Sequence, residues 1–142
     1  MSRHSARIEA MKVLYQVDLL KSTPEEVIIS YKPDLEIDDY NFFLGLVVSV
    51  WEKSSEINSV IENISMEWRM DRMAVVDRNI MRMAVYEMLF CDDIPLSVAI
   101  DEAVEIAKTF AGPESAKFIN GVIGEIAKSP DNFTEIAAKK LR

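Results

Sequence analysis

The chain has 142 residues, 49% of them apolar and 28% charged, a balance that suits one soluble globular domain with a substantial core. A single cysteine excludes an intramolecular disulfide, and with a single histidine beside it there is no zinc constellation and no well-supplied nucleophilic site. The formal net charge of −8 argues against a surface that attracts nucleic acid everywhere.

The charge is unevenly spread. Residues 25–62 hold Glu25, Glu26, Asp34, Glu36, Asp38, Asp39, Glu52, Glu56 and Glu62 against Lys32 and Lys53. The first 21 residues carry Arg3, Arg7, Lys12 and Lys21 against Glu9 and Asp18. Arg69, Arg72, Arg78 and Arg82 form a second basic stretch. Basic patches on an acidic body are therefore open, and the acidic body could face a basic partner.

Four glycines and few alternating β-branched runs point to helices. The first helix is expected over about 5–21, with Ile8, Met11, Leu14, Tyr15, Val17 and Leu19 as its apolar stripe. Thr23-Pro24-Glu25-Glu26 then supplies an N-cap, a proline in the first turn and an acidic third position, and Pro33 ends this second helix. One long helix is expected over about 38–63, its stripe running from Tyr40, Phe43, Leu44, Val47, Val48 and Trp51 into Ile57, Val60, Ile61 and Ile64.

A short helix or turn follows around Trp68, then a helix over about 74–91. Cys91 closes the apolar run Met88-Leu89-Phe90 and reads as a buried thiol rather than a catalytic one. Asp92-Asp93-Ile94-Pro95 breaks the chain. The next helix, to Phe110, is expected to turn Val98, Ile100, Ala103, Val104 and Ala107 inward. Ala111-Gly112-Pro113 stops it and starts another. That last helix, Glu114 to Lys128, is expected to bury Phe118, Ile119, Val122, Ile123 and Ile126. Inside it, Asn120 reads as a buried hydrogen-bonding residue, and Gly121 as a point of close helix approach. Residues 1–4 and 131–142 are expected to be loosely held.

The expectation is an all-α fold, a single domain over 1–142 of about seven helices. Helices this short are marginal alone and must pack on one another. Met1 to Arg7 lacks the apolar segment of a signal peptide, and the short apolar runs cannot span a membrane, so a cytoplasmic location is expected.

Three stretches together resemble the NusB family, the N-utilisation substance B proteins. They are Ala6-Arg7-Ile8-Glu9-Ala10-Met11-Lys12-Val13-Leu14-Tyr15-Gln16-Val17-Asp18; Trp68, Arg72 and Val76 through Met88; and Pro95, Val98 through Lys108, then Ser115 and Lys117-Phe118-Ile119-Asn120-Gly121-Val122. Each alone could occur in an unrelated helical protein; their order over about 6–127 is the specific feature.

The resemblance implies two packed helical subdomains; no enzymatic activity and no cofactor are expected. It implies binding of boxA-type RNA in nascent ribosomal RNA transcripts together with NusE, a ribosomal protein, within an RNA polymerase antitermination complex. By the same resemblance, RNA contacts fall on Arg3, His4 and Arg7, with Tyr15 further along that helix, and on the start of the last helix at Glu114, Ser115, Lys117 and Phe118. The chemistry suits them. Arginine pairs with phosphate, aromatic rings stack on bases, and a helix start offers free N–H groups. Tyr15 and Phe118 could equally be core residues, and Lys117 an ordinary solvated lysine.

Arg78 and Arg82 share a helix face, and two like charges there need an anionic neighbour. That neighbour is RNA or an internal carboxylate. Asp101, Glu102 and Glu105, with Tyr86 and Glu87, make a candidate docking face for the basic partner; a plain solvated face is the other reading.

The segment Ser2-Arg3-His4-Ser5-Ala6-Arg7 is poorer in arginine than is usual for the family. Fewer neutralised phosphates mean weaker binding by the protein alone. A helical protein–protein adaptor with little RNA affinity is therefore the alternative. A third reading, the leading domain of an rRNA cytosine methyltransferase, meets only one cysteine where that chemistry needs more. Family members differ in oligomeric state, and a homodimer hiding the RNA surface is one conceivable storage form.

Overall fold

Thr23 begins α2 (Pro24–Ser30) as the sequence predicts. Its Oγ1 accepts from the Glu26 backbone N–H at 3.3 Å while its own N–H donates to the Glu26 carboxylate at 2.8 Å. Two orphan donors of the first turn are thus satisfied reciprocally. This computed structural model describes residues 3–64 and 67–129, so the expectation for residues 131–142 lies outside the described residues. Among them are seven α-helices, a short 3₁₀ turn and no strand. The chain divides into two compact units, one ending at Glu52 and the other starting at Lys53.

The first unit holds α1 (Arg3–Leu20), α2 and α3 (Ile37–Glu52). Helix α1 lies along α3, and α2 closes on both. The buried face of α1 is Ala6, Arg7, Ala10, Met11, Val13, Leu14 and Val17. Ile8 is half-buried, and Tyr15 and Leu19 are exposed. The expected stripe is thus turned toward the small residues Ala6 and Ala10, which let α3 come close. From α3, Phe43, Leu46, Val47 and Val50 fill the facing core. After α2 the Tyr31 hydroxyl donates to the Glu9 carboxylate, tying the connecting segment back to α1.

The second unit holds α4 (Ser54–Ile64), the 3₁₀ turn Met70–Arg72, α5 (Val75–Phe90), α6 (Leu96–Phe110) and α7 (Pro113–Lys128). Helix α6 packs on α5 and α7, and α4 packs on the same two. The 3₁₀ turn is moored to α4, because the Met70 N–H donates to the Glu62 carboxylate at 2.8 Å. Gly112 joins α6 to α7 with φ +106°, a conformation that L side chains rarely adopt.

Four expectations are corrected. The long helix over 38–63 is two helices, with a turn at Lys53. The Lys53 carbonyl accepts the first bond of α4, from Ile57 N–H at 2.9 Å. Ile57 follows Val50 by seven positions, a step that a continuous helix also satisfies, so the periodicity hides the break. In α6 the buried positions are Ala99, Ala103, Ile106 and Ala107; Val98 is exposed, and Ile100 and Val104 are half-buried. Asn120 and Gly121 are both exposed, and a methyl group on Gly121 would meet nothing within 4 Å. Gly121 therefore serves no close helix approach. Phe118 is 37% exposed, unlike its neighbours Ile119, Val122, Ile123 and Ile126 in the core.

Candidate nucleic-acid interface

The predicted site residues fall into a set on α1 and a set on α5 and α7. Arg3 and His4 open α1 and are exposed. Arg7, one turn on, is only 5% exposed. Both guanidinium groups gather at one aromatic ring of α3: the Arg3 carbon Cζ lies 4.6 Å from the Phe42 centroid and that of Arg7 5.2 Å. The burial of Arg7 withdraws most of its surface from any ligand, a correction to its expected role as an outward phosphate contact. Tyr15, 36% exposed, carries an amphipathic ring at the solvent boundary of α1.

On α5 the two arginines are turned to internal work. Arg78 Nη1 donates to the Met70 carbonyl at 3.0 Å, holding the 3₁₀ turn. Arg82 donates through Nε to the Asn58 side-chain oxygen of α4 and through Nη1 to that of Asn79, each at 3.0 Å. Asn79 is buried and spends its amide N–H₂ on the Val75 carbonyl at 2.8 Å, which fixes its oxygen toward Arg82. Neutral amide and carbonyl oxygens are thus among the partners of both arginines. Removing these bonds in Arg82→Ala should destabilise the fold by about 2 kcal/mol, since bonds to a charged donor are the stronger kind. Urea unfolding followed by circular dichroism measures it; an unchanged midpoint would mean the bridge from α5 to α4 carries no weight.

At the start of α7, Glu114, Lys117 and Phe118 are exposed and Ser115 is half-buried. The Ser115 hydroxyl donates to Asp77 Oδ2 at 3.2 Å, joining the first turns of α7 and α5. Asp77 is buried, and its Oδ1 has no hydrogen-bond partner among the described residues. Sequence reasoning gave Asp77 no role, because an aspartate in a first helical turn already has a routine one with the helix dipole.

The acidic face is partly where it was expected. Asp101 and Glu105 are exposed on α6, and Glu102 is half-buried. Asp101 and Glu105, with Lys108 and Lys117 but without Glu102, line an open groove of about 480 Å³ between α6 and α7. The predicted partner face and the α7 end of the predicted RNA face therefore border one depression. Glu105 and Lys108 approach to 3.8 Å, but both are well exposed, so the pair adds little. Tyr86 is half-buried and stacks on Phe90 at 5.8 Å between centroids. Glu87 is 2% exposed and belongs to the interior, which corrects its expected place on a docking face. The period of α5 explains this: Ala84, Met88 and Glu87 share the inward side. Cys91 is half-buried rather than buried.

No group of three or more His, Cys, Asp or Glu side chains among the described residues could hold a metal ion. No described helix is long and apolar enough to cross a membrane.

Exposed cationic side chains stand near the starts of α1 and α7 in an all-α protein of net charge −8. The NusB family profile matches residues 4–128. The transcription antitermination protein NusB of Pelotomaculum thermopropionicum is 44% identical over 135 residues, 94% of either chain. A solved structure of T. maritima NusB superposes with a TM-score of 0.83 at 32% identity, over 94% of this chain and 98% of that one. A crystal structure of the antitermination factors NusB and NusE in complex with double-stranded RNA has a chain with TM-score 0.80 and 31% identity, over 89% of this chain and 96% of that one. The chain belongs to the NusB family. As a member it is a transcription antitermination factor.

Proposed function

We propose that the protein binds boxA-type RNA of nascent ribosomal RNA transcripts jointly with NusE, in the cytoplasm, as part of an RNA polymerase antitermination complex. The observation that carries this reading is its likeness, over 89% of the chain, to a chain of the solved NusB–NusE complex with double-stranded RNA. Arg3, His4 and Tyr15 on α1, and Glu114, Ser115, Lys117 and Phe118 on α7, supply the chemistry that single-stranded RNA requires. Guanidinium and ammonium groups meet phosphate, rings meet base faces, and a helix start meets an anion. Arg78 and Arg82 hold the 3₁₀ turn, α4 and α5 of the second unit together rather than touch RNA. Asp101, Glu102, Glu105 and Tyr86 of α6 and α5 steer and seat the basic NusE beside the α7 end of the RNA contacts.

The adaptor reading draws on one specific observation. Arg7 is buried, and Arg78 and Arg82 bond internally, so the cationic surface is smaller than the count of arginines suggests. Titration of boxA-like, scrambled and double-stranded RNA, each with and without NusE, separates the two. The expected result is weak binding alone, at least about tenfold tighter binding of boxA-like RNA with NusE, and no such gain for scrambled RNA, because a completed surface neutralises more phosphates. Equal affinities with and without NusE would overturn the joint surface.

A further inference from the structure

We propose that Phe42 is a positioning residue for RNA binding, holding the Arg3 guanidinium where phosphate meets it; this rests on the RNA-binding reading above. Arg3 and Arg7 are four apart on α1 and therefore lie on one side of it. Two cations so placed repel. Arg3 also stands in the first turn, where the positive end of the helix dipole disfavours a cation. A ring of α3 lies within 4.6 Å of one guanidinium carbon and 5.2 Å of the other. The negative face of an aromatic ring attracts a guanidinium at such distances. Arg7 is almost wholly buried, which fixes the inner cation, whereas Arg3 is exposed. Phe42 itself is half-buried, and α1 and α3 pack along their length, so the ring is carried by a rigid element.

The consequence is pre-ordering. An arginine loses rotamer freedom when it meets phosphate, and a side chain already seated on a ring loses less. Stacking engages the flat face of a guanidinium and not its N–H edge, the part that pairs with phosphate oxygens. Phe42 would thus act on RNA through Arg3 without touching it.

The test is a double-mutant cycle on the full chain. Wild type, Phe42→Leu, Arg3→Ala and the double variant are titrated with boxA-like RNA in the presence of NusE, and each is checked by thermal unfolding. The expected result is a roughly threefold to tenfold loss of affinity in Phe42→Leu. In the Arg3→Ala background the same change should cost nothing further, and Phe42→Trp should bind as wild type does. A merely structural phenylalanine would cost the same in both backgrounds, and that outcome overturns the proposal. So does wild-type affinity in Phe42→Leu. If wild type itself binds no RNA at any salt concentration, the reading beneath the proposal fails and takes it along, a result distinct from either of those.

Discussion

Phe43→Ala is expected to lower stability by about 3–5 kcal/mol, the range for deleting a fully buried aromatic side chain and leaving its cavity. Phe43 has no exposed surface, and its ring lies 5.5 Å from that of Tyr40 in a tilted arrangement. Leu46, Val47 and Val50 extend the same buried face of α3. The adjacent Phe42 points about 100° away around the helix and meets the two arginines instead. The sequence pair Phe42-Phe43 thus divides its labour, one ring for the core of the first unit and one for its cations. Urea unfolding monitored by circular dichroism measures the loss. A cost below about 1 kcal/mol would mean that the face between α1 and α3 collapses around the gap, contrary to the close packing expected of a buried aromatic.

That division shows what periodicity could and could not convey. Helix starts with local chemistry were legible: the Thr23–Glu26 capping box and the Gly112-Pro113 junction each act within four residues, and both stand in the structure. The break at Lys53 was not, because Val50 and Ile57 keep a helical spacing across it. Residues with double character were the hardest. Arg7 and Glu87 are charged and therefore read as surface, yet their positions on α1 and α5 turn them inward beside Ala6 and Met88. Asn120 and Gly121 failed in the opposite sense. As poor helix formers they seemed to need tertiary support, but an exposed helix position tolerates them at modest cost. Asn58 and Asn79 are among the partners of Arg82, and Asn58 is 24 positions away. A contact of that range leaves no local mark. The family likeness was legible because it rests on the order of three stretches, while the role of Phe42 depends on a neighbour that only the fold supplies.

Simultaneous removal of two exposed cations, in Arg3→Ala with Lys117→Ala, is expected to weaken RNA binding by about 10- to 100-fold at moderate salt. The more telling quantity is the dependence on salt. Each phosphate neutralised on a single strand contributes about 0.7 to the slope of log affinity against log salt, so losing two should reduce it by about 1.4. Arg3 and Lys117 are chosen because both are exposed, one in the first turn of α1 and the other in the second turn of α7. Arg82→Ala is the counterpart. Its hydrogen bonds are internal, so it should cost stability and leave the slope near its wild-type value. The two variants therefore separate cations that hold the fold from cations that meet the ligand. A slope that falls by about 0.7 would remove one of the pair from the RNA surface, and an unchanged slope would remove both. If Arg82→Ala alone flattened the slope while sparing stability, the internal bonds drawn from α5 to α4 would be the wrong account of that arginine.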